Sequence, residues 1–453
     1  MTPQHIAVID IGKTNAKLAL VDLDRRTEIA VRTRPNLVLQ APPYPHMDTA
    51  GIWTFLLTAL RDFHAEHRID AISITTHGAC AALLDARGSL AAPILDYEHP
   101  GPDSMRDAYE ALRPDFAETG SARLPGGLNI GAQLFWQFQT DPDLLARTAQ
   151  LVTYPQYWGH RLTGQLATDV TSLGCHTDLW NPYTGQFSTL VDRLGLTGRI
   201  APPRRPSDLL GTLRPEIASQ TGLPASTPVA TGIHDSNASL LPHLLSRQVP
   251  FSVVSTGTWV VVMAVGGHLM PLDPARDTLV NVNALGQPVP SARFMGGREY
   301  EIIRQNRAPV ATTADRVLQQ GLMLLPAVQR GSGPYPNHTH QWQPAPPTDW
   351  ADTETALSLY LALMTAECLS MIGAAGPVLI EGPFARNGFY ADMLGAATGR
   401  PVLTSASQTG TAIGAALLFA TGQIPPETTA RPAPDPALQT YATHWRSAVQ
   451  SSR

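Results

Sequence analysis

The 453-residue sequence predicts an α/β protein of two domains, residues 1–245 and residues 246–453. Three observations predict it. The length exceeds the roughly 100–200 residues of one domain, and a 43% hydrophobic composition supplies apolar material for more than one core. Strand-like segments alternate with helix-like ones in both halves, as in sheets covered by helices. One strand–turn–strand design also occurs twice, about 245 residues apart, which is the mark of an internal duplication.

Each element has a local reason. Residues 5–22 place the apolar segments Ile6–Ile9 and Leu18–Val21 on either side of Asp10-Ile11-Gly12-Lys13-Thr14-Asn15, a strand, a polar turn and a returning strand. Residues 250–265 repeat the design around Ser255-Thr256-Gly257-Thr258. After the first hairpin the pattern predicts a helix over Ile52–His67, a strand over Ala71–Thr75, an extended region with Asp96-Tyr97-Glu98, and a helix around Ala132–Gln139. A rigid proline loop at 201–206 precedes a strand at Val229–Gly232 and a helix opening near Asp235. The second half holds a polar, proline-rich loop at 331–349, a helix over Thr353–Ile372 and a short strand over Val378–Glu381. A glycine turn, a helix over Tyr390–Thr398 and a last helix over Gly410–Thr421 follow, then a proline-rich tail.

Composition narrows the function. Charged residues are 15% and the net charge is −5, which excludes a generally basic binder of nucleic acid or membrane surfaces. The three cysteines, Cys80, Cys175 and Cys368, form neither a disulfide framework nor a zinc knuckle. The first residues lack a signal-peptide pattern, and no run of 18 apolar residues occurs. The expectation is a soluble cytoplasmic protein with a small-molecule partner, no nucleic acid and no membrane. Only two lysines occur, Lys13 and Lys17, both at the first turn. An ammonium is a compact point charge suited to phosphate, although codon bias alone also leaves few lysines.

Gly12-Lys13-Thr14 is not a Walker A loop, because Ala7 stands where that loop needs its first glycine. A P-loop also leads into a helix, whereas Ala16–Val21 reads as a strand. What remains is a hairpin turn whose backbone N–H groups can cradle phosphate, with Thr14 and Asn15 as further donors and Asp10 binding Mg²⁺ through water. An ordinary polar hairpin fits the first copy equally well; the second copy at Thr256 and Gly257 favours a pair of turns clamping a polyphosphate. Asp235 follows a strand and opens a helix. There it is either an N-cap or a carboxylate at a strand end, where ligands of α/β sheets collect and where it could accept a hydroxyl proton. Gly382, in Glu381-Gly382-Pro383-Phe384-Ala385-Arg386-Asn387, would let a backbone approach a flat ring.

Taken together, these segments resemble the FGGY family of carbohydrate kinases, from about residue 5 to residue 425. The first hairpin resembles the family's first phosphate motif, with Lys13 and Thr14 where the family usually has Thr and Ser. Ser255 to Trp259 resembles the second phosphate motif, and Gly232-Ile233-His234-Asp235 the segment of the catalytic base. Gly382 to Asn387 resembles the adenosine motif, and Thr411 to Ala416 the helix that closes it. Trp158 to Gly164, Thr168-Asp169 and Asp178 to Gly185 follow a family-wide pattern. The chain departs from the family at Gln329-Arg330-Gly331, where Gly-Glu-Arg is usual, and at Gly382, where paired glycines are common.

The resemblance implies a duplicated actin-like ATPase (ribonuclease H-like) fold with the active-site cleft between its domains. It implies an N-terminal sugar-binding domain carrying the catalytic Asp235 and a C-terminal nucleotide-binding domain. ATP and Mg²⁺ are the implied cofactors, with Asp10, Gly12, Lys13, Thr14, Asn15, Lys17, Thr256, Gly257, Gly382 and Asn387 on the nucleotide side. His77, Gly78, Asp96, Asn129, His234 and Asp235 fall on the sugar side, and a homodimer stays open. A histidine before the catalytic aspartate resembles rhamnulose and fuculose kinases, so the expected reaction is phosphorylation of a ketose, at C1, with a 6-deoxy-ketohexose favoured. Xylulose or ribulose is the alternative sugar, and an actin-like nucleotide switch the alternative class.

Overall fold

The computed structural model describes residues 3–308, 310, 313–405, 410–422, 428–433 and 435–452. The chain forms two compact units, one of Met1–Ser246, Val280–Pro288 and Thr409–Ile424, the other of Arg247–Leu279, Val289–Gln408 and Pro425–Arg453. This differs from a single division at residue 245, because two later segments return to the first unit. The reason is visible in the helix Thr411–Ala416. Its Ala412, Ala415 and Ala416 are buried in one cluster with Ile6, Val8, Ala71 and Ala238. Gly414 removes the last obstacle, since a Cβ there would lie 1.8 Å from the Ala238 carbonyl oxygen.

In the first unit, strands β1 (His5–Ile11), β2 (Asn15–Asp22), β3 (Thr27–Pro35), β4 (Ala71–Thr76), β5 (Leu209–Thr212), β6 (Pro228–Ala230) and β7 (Ile233–His234) form one sheet. Its order is β5-β6-β4-β1-β2-β3, with β7 also paired to β4. β1 runs antiparallel to β2 and parallel to β4, and β4 runs parallel to β6 and β7. The expected strand at Val229–Gly232 is in fact broken. It stops at Ala230, Gly232 takes φ +96, and the chain rejoins β4 as β7. A side chain at Gly232 would lie 2.9 Å from the Ile74 carbonyl oxygen, so the close return requires glycine.

The second unit repeats this plan with β8 (Phe251–Thr256), β9 (Val260–Val265), β10 (Pro288–Phe294), β11 (Val378–Glu381), β12 (Val402–Ser405) and β13 (Thr428–Ala430). These run in the order β13-β12-β11-β8-β9-β10, and a seventh strand, Thr278–Val282, pairs with β10 at the edge. β8–β9 is antiparallel, β8–β11 and β11–β12 are parallel, and β12–β13 is antiparallel, the same directions as the corresponding pairs of the first sheet. The duplication read from one hairpin thus extends to six strands of each sheet. The helix Trp350–Met371 is apolar on nearly every side and buries Ala356 through Met364 in the core of this unit.

Three other expectations need correction. The tail after residue 421 is not all loop, because Pro436–Ser451 is a helix that buries Leu438, Tyr441, Ala442, Trp445 and Val449. That helical spacing lay in the sequence behind a proline-rich lead. The loop 331–349 contains a strand, Gln341–Gln343, paired with Met323–Leu325. The Asp96–Glu98 segment is a turn, closed by the His99 N–H donating to the Asp96 carbonyl at 2.9 Å.

One buried carboxylate gives the second unit a pH signature. Glu299 is 1% exposed; its Oε1 accepts from the Gln329 N–H and its Oε2 from the Tyr360 hydroxyl, each at 2.9 Å. Burial outweighs both hydrogen bonds and raises its pKa to about 7 from an ordinary 4.5. A raised carboxyl pKa stabilises the fold fully below about 4.5, and that contribution is lost as pH rises through about 7. Urea midpoints of wild type should therefore fall over that interval, and Glu299→Gln should remove this part of the fall. A variant that keeps the wild-type slope would contradict the assignment.

Candidate active site

Three neighbouring parallel strands end together in the first unit. Across β4, Thr75 is level with both Asp10 of β1 and Ile233 of β7, and Thr76 with both Ile11 and His234. The chain therefore leaves the same sheet edge three times, as the Gly12–Asn15 turn, as His77-Gly78, and as the helix Asp235–Ser246. This is the carboxyl edge, where α/β sheets bind ligands. Two strand spacings put Asp10 and His234 about 10 Å apart.

Asp10 ends the row of β1 side chains that begins with Ile6 and Val8, facing the helix Thr411–Ala416. The Thr411 hydroxyl donates to Asp10 Oδ2 at 2.6 Å, and Lys17 Nζ lies 3.4 Å from the same oxygen and 3.1 Å from Glu28. Burial raises the Asp10 pKa, Thr411 and Lys17 partly oppose it, and the negative charge of Asp235 adds to the rise. In the turn, the Gly12 N–H donates to the Asn15 carbonyl at 2.9 Å, and Asn36 Nδ2 donates to the Gly12 carbonyl at 2.8 Å. Thr14 and Asn15 remain exposed.

Lys13 leaves this turn in another direction. Its ammonium pairs with Asp96, lies 3.2 Å from Glu98 Oε2, and sits 4.5 Å from the centre of the Tyr97 ring. Tyr97 in turn packs edge-on against His77, with ring centres 5.3 Å apart. His77 Nδ1 donates to the Gly78 carbonyl at 2.9 Å, which leaves Nε2 as the acceptor nitrogen, and that atom is buried with no protein partner. Burial lowers the His77 pKa and keeps the ring neutral.

His234 and Asp235 meet at 3.3 Å between Nε2 and Oδ1. Gly78 makes room for the imidazole, since a Cβ there would lie 2.7 Å from His234 Nε2. Cys175 hydrogen-bonds to the same ring. Burial opposes charge on both, but the interaction carries the His234 pKa above its ordinary value, helped by Asp235, while His176 and His234 hold the Cys175 thiol below its own. Behind this pair, the His234 N–H donates to Thr171 Oγ1 at 3.0 Å, and the Thr171 hydroxyl donates to the fully buried Asp169. Asp169 also accepts the N–H groups of Thr171 and Ser172, capping the helix Val170–Leu173.

Asn129 does not line this edge with a free amide. Its Oδ1 accepts the Leu124 N–H at 2.8 Å, and its Nδ2 donates to the Ala122 carbonyl, Ser121 and Asp178. Asp178 is held further by Tyr109 at 2.6 Å and Arg113 at 3.2 Å. Asn129 therefore ties chain segments together. Sequence reading missed Thr171, Cys175, Asn36 and Thr411 as partners; Asp169-x-Thr171 was visible as a capping pattern, but nothing local marked the others.

In the second unit the counterpart edge is built differently. The Gly257 N–H donates to the Trp259 carbonyl at 2.9 Å, closing the β8–β9 turn. Thr256 Oγ1 donates to the Glu381 carbonyl at 2.5 Å and accepts the Phe384 N–H at 3.1 Å. Gly382 has φ 81 and ψ −164, a region essentially confined to glycine. A Cβ there would lie 2.1 Å from the Thr256 carbonyl oxygen. Its bareness thus admits the close approach of the Thr256 backbone. Asn387 caps the helix Gly388–Thr398 through Tyr390 N and donates to Ser358 at 2.8 Å.

Fold and edge together define a duplicated α/β protein with a carboxylate and a polar hairpin turn at adjoining strand ends. Residues 5–242 match the N-terminal domain of the FGGY family of carbohydrate kinases, and residues 248–427 match the carbohydrate kinase FGGY C-terminal domain. The chain belongs to the FGGY family of carbohydrate kinases. It superposes on the crystal structure of a carbohydrate kinase from Novosphingobium aromaticivorans with TM-score 0.93 and 37% identity, covering 100% of both chains. It is 27% identical to the L-fuculokinase of Escherichia coli K12 over 278 residues, 58% of this chain and 57% of the relative. It is 28% identical to the rhamnulokinase of Bacillus subtilis 168 over 196 residues, 42% of this chain and 39% of the relative. The alignments thus span a little over half of the fuculokinase and about two-fifths of the rhamnulokinase.

The Gly382 contact can be tested without any ligand. Gly382→Ala should destabilise the second unit by roughly 2 kcal/mol or more, from backbone strain and the clash with Thr256. Denaturant unfolding would measure this; unchanged stability would show that the turn relaxes freely.

Proposed function

We propose that the protein is an ATP-dependent sugar kinase that phosphorylates the C1 hydroxyl of a ketose, with L-fuculose and L-rhamnulose the favoured 6-deoxy-ketohexoses. The observation that carries the reading is the common strand edge, which sets the half-exposed Asp235 two strands from the β1–β2 turn. The names of the curated relatives and the histidine preceding Asp235 support the choice of sugar.

In this reading the acceptor hydroxyl lies against Asp235, which takes its proton as the oxygen attacks the γ-phosphorus and ADP leaves. A loose phosphoryl transition state asks little of the base, so positioning matters most. His77 Nε2, an unpartnered buried acceptor, receives a second sugar hydroxyl. The turn at Gly12, Thr14 and Asn15 offers N–H and side-chain donors to phosphate, with Lys17 beside it.

Asp10 fits a divalent cation, because burial and the like charge of Asp235 disfavour its ionised form and a cation would relieve both. Among the described residues no group of three His, Cys, Asp or Glu side chains is placed to hold a metal. A single carboxylate acting through water, with phosphate oxygens completing the shell, is how Mg²⁺ usually binds. When bound, Mg²⁺ would neutralise phosphate charge. Thr256 and Gly257 are assigned to the nucleotide through the backbone of their turn, since the Thr256 hydroxyl already has two partners. Gly382 and Asn387 shape the following segment.

ADP release, coupled to a reporter, should depend on the sugar across L-fuculose, L-rhamnulose, D-xylulose, D-ribulose and glycerol. Release at the same rate without any acceptor would favour a nucleotide switch and sink the kinase reading. Asp235→Asn should lower kcat by at least about 10²-fold while leaving ATP affinity unchanged by calorimetry. Thr171→Val should lower kcat about tenfold with little change in either KM, because the base is displaced and not removed. Thr171→Ser should restore it; a serine variant as slow as the valine one would exclude this positioning role.

A further inference from the structure

The two lysines of the first turn have different partners, and Lys13 is the unexpected one. Taken alone, its place in a phosphate-type turn assigns it to the nucleotide. Its contacts are elsewhere: Asp96 and Glu98 on either side of Tyr97, and the Tyr97 ring itself. Tyr97 touches His77, whose buried Nε2 lacks a protein partner and neighbours the His234–Asp235 end of the sheet. Asp96 is only 9% exposed at its side chain, and its Oδ1 also accepts the Glu98 N–H at 3.2 Å, so the ammonium closes a compact turn. Lys17, by contrast, pairs with Asp10 and Glu28 across β2.

Resting on the kinase reading, we propose that Lys13 is a positioning residue of the acceptor-sugar site and not a phosphate ligand. It holds the Asp96–Glu98 turn and the Tyr97 ring against His77, and so sets the shape in which a neutral polyhydroxylated acceptor is read. Without the ammonium, Asp96 and Glu98 lose the shared cation between them and repel. The turn then moves off His77, and the sugar loses its fitted wall while the backbone of the phosphate turn, fixed by Gly12, Asn15 and Asn36, stays in place. An arginine can carry the same two carboxylates and still stack on the ring.

The test compares wild type, Lys13→Met and Lys13→Arg as full-length proteins, measuring Kd for MgATP by calorimetry and KM for L-fuculose and L-rhamnulose. The expected result for Lys13→Met is a MgATP Kd within about twofold of wild type and a ketose KM raised about tenfold or more, a shift of about 1.4 kcal/mol per tenfold. Lys13→Arg should recover most of the lost ketose affinity, which a merely misfolded variant would not do. A MgATP Kd weakened fivefold or more, or an unchanged ketose KM, overturns the proposal. A wild-type protein that phosphorylates neither sugar defeats the proposed choice of sugar instead. In that case the nucleotide measurement alone decides Lys13: an unchanged Kd upholds its separation from the nucleotide, and a weakened one overturns it.

Discussion

Everything at the first unit's polar edge depends on the registration of β1 and β7 against β4. A one-residue slip in either pairing would turn alternate side chains to the opposite face. Asp10 would then enter the packed cluster that holds Ile9 and Ile11, and Asp235 would leave the strand end. The register is held by apolar rows on both faces, Ala7, Ile9 and Ile11 on one and Ile6 and Val8 on the other. Packing on two sides therefore places two polar groups that themselves contribute little to folding. The glycine at 232 completes the device, because only a residue free of a Cβ brings the chain back to β4 in time to form β7.

Charge at that edge is arranged by segregation. The charge of Asp235 raises the cost of ionising Asp10, and each carboxylate has its own basic neighbour, Lys17 for Asp10 and the His234 imidazole, whose pKa is raised, for Asp235. Cys175 pushes the pKa of that imidazole in the same upward direction from the buried side. Lys13 belongs to a third group with Asp96 and Glu98. Such pairs at partly exposed sites contribute modestly to stability; their consequence is orientation.

Much of this was legible in the amino-acid sequence, and the limits are physical. Strand periodicity and turn residues located both hairpins, and the order of motifs gave the family. The carboxyl-edge positions of Asp10, His77 and Asp235 followed from strand ends. What escaped was long-range or shared. Thr411 lies 401 positions from Asp10, and no local pattern says that its helix packs in the first unit. Lys13 looked like a phosphate residue because its neighbours in sequence are turn residues, while its partners are 83 and more positions away. Asn129 looked like a ligand group, yet a buried amide must be satisfied, and the chain itself satisfies it. The helix Pro436–Ser451 escaped for a simpler reason, since prolines ahead of it masked a plain amphipathic spacing.

The duplicated sheets also show how one scaffold can yield unequal ends. After the central parallel strand each unit places a glycine, Gly78 beyond β4 and Gly382 beyond β11. Both are needed for a close approach, but to different things. At Gly78 the space admits a side chain, the imidazole of His234, and the surrounding polar atoms are left incompletely paired, with His77 Nε2 and His234 Nδ1 both buried and unpartnered. At Gly382 the space admits the backbone of Thr256, whose hydroxyl is hydrogen-bonded on both sides. An unpartnered buried acceptor carries a free-energy cost that a ligand hydroxyl can remove, whereas a saturated turn has nothing further to gain from one. In the proposed reading this asymmetry favours acceptor chemistry at the first unit's edge. The second unit keeps a turn whose Thr256 hydroxyl is satisfied within the protein, which in that reading suits an invariant group such as a phosphate better than a sugar that must be told from its isomers.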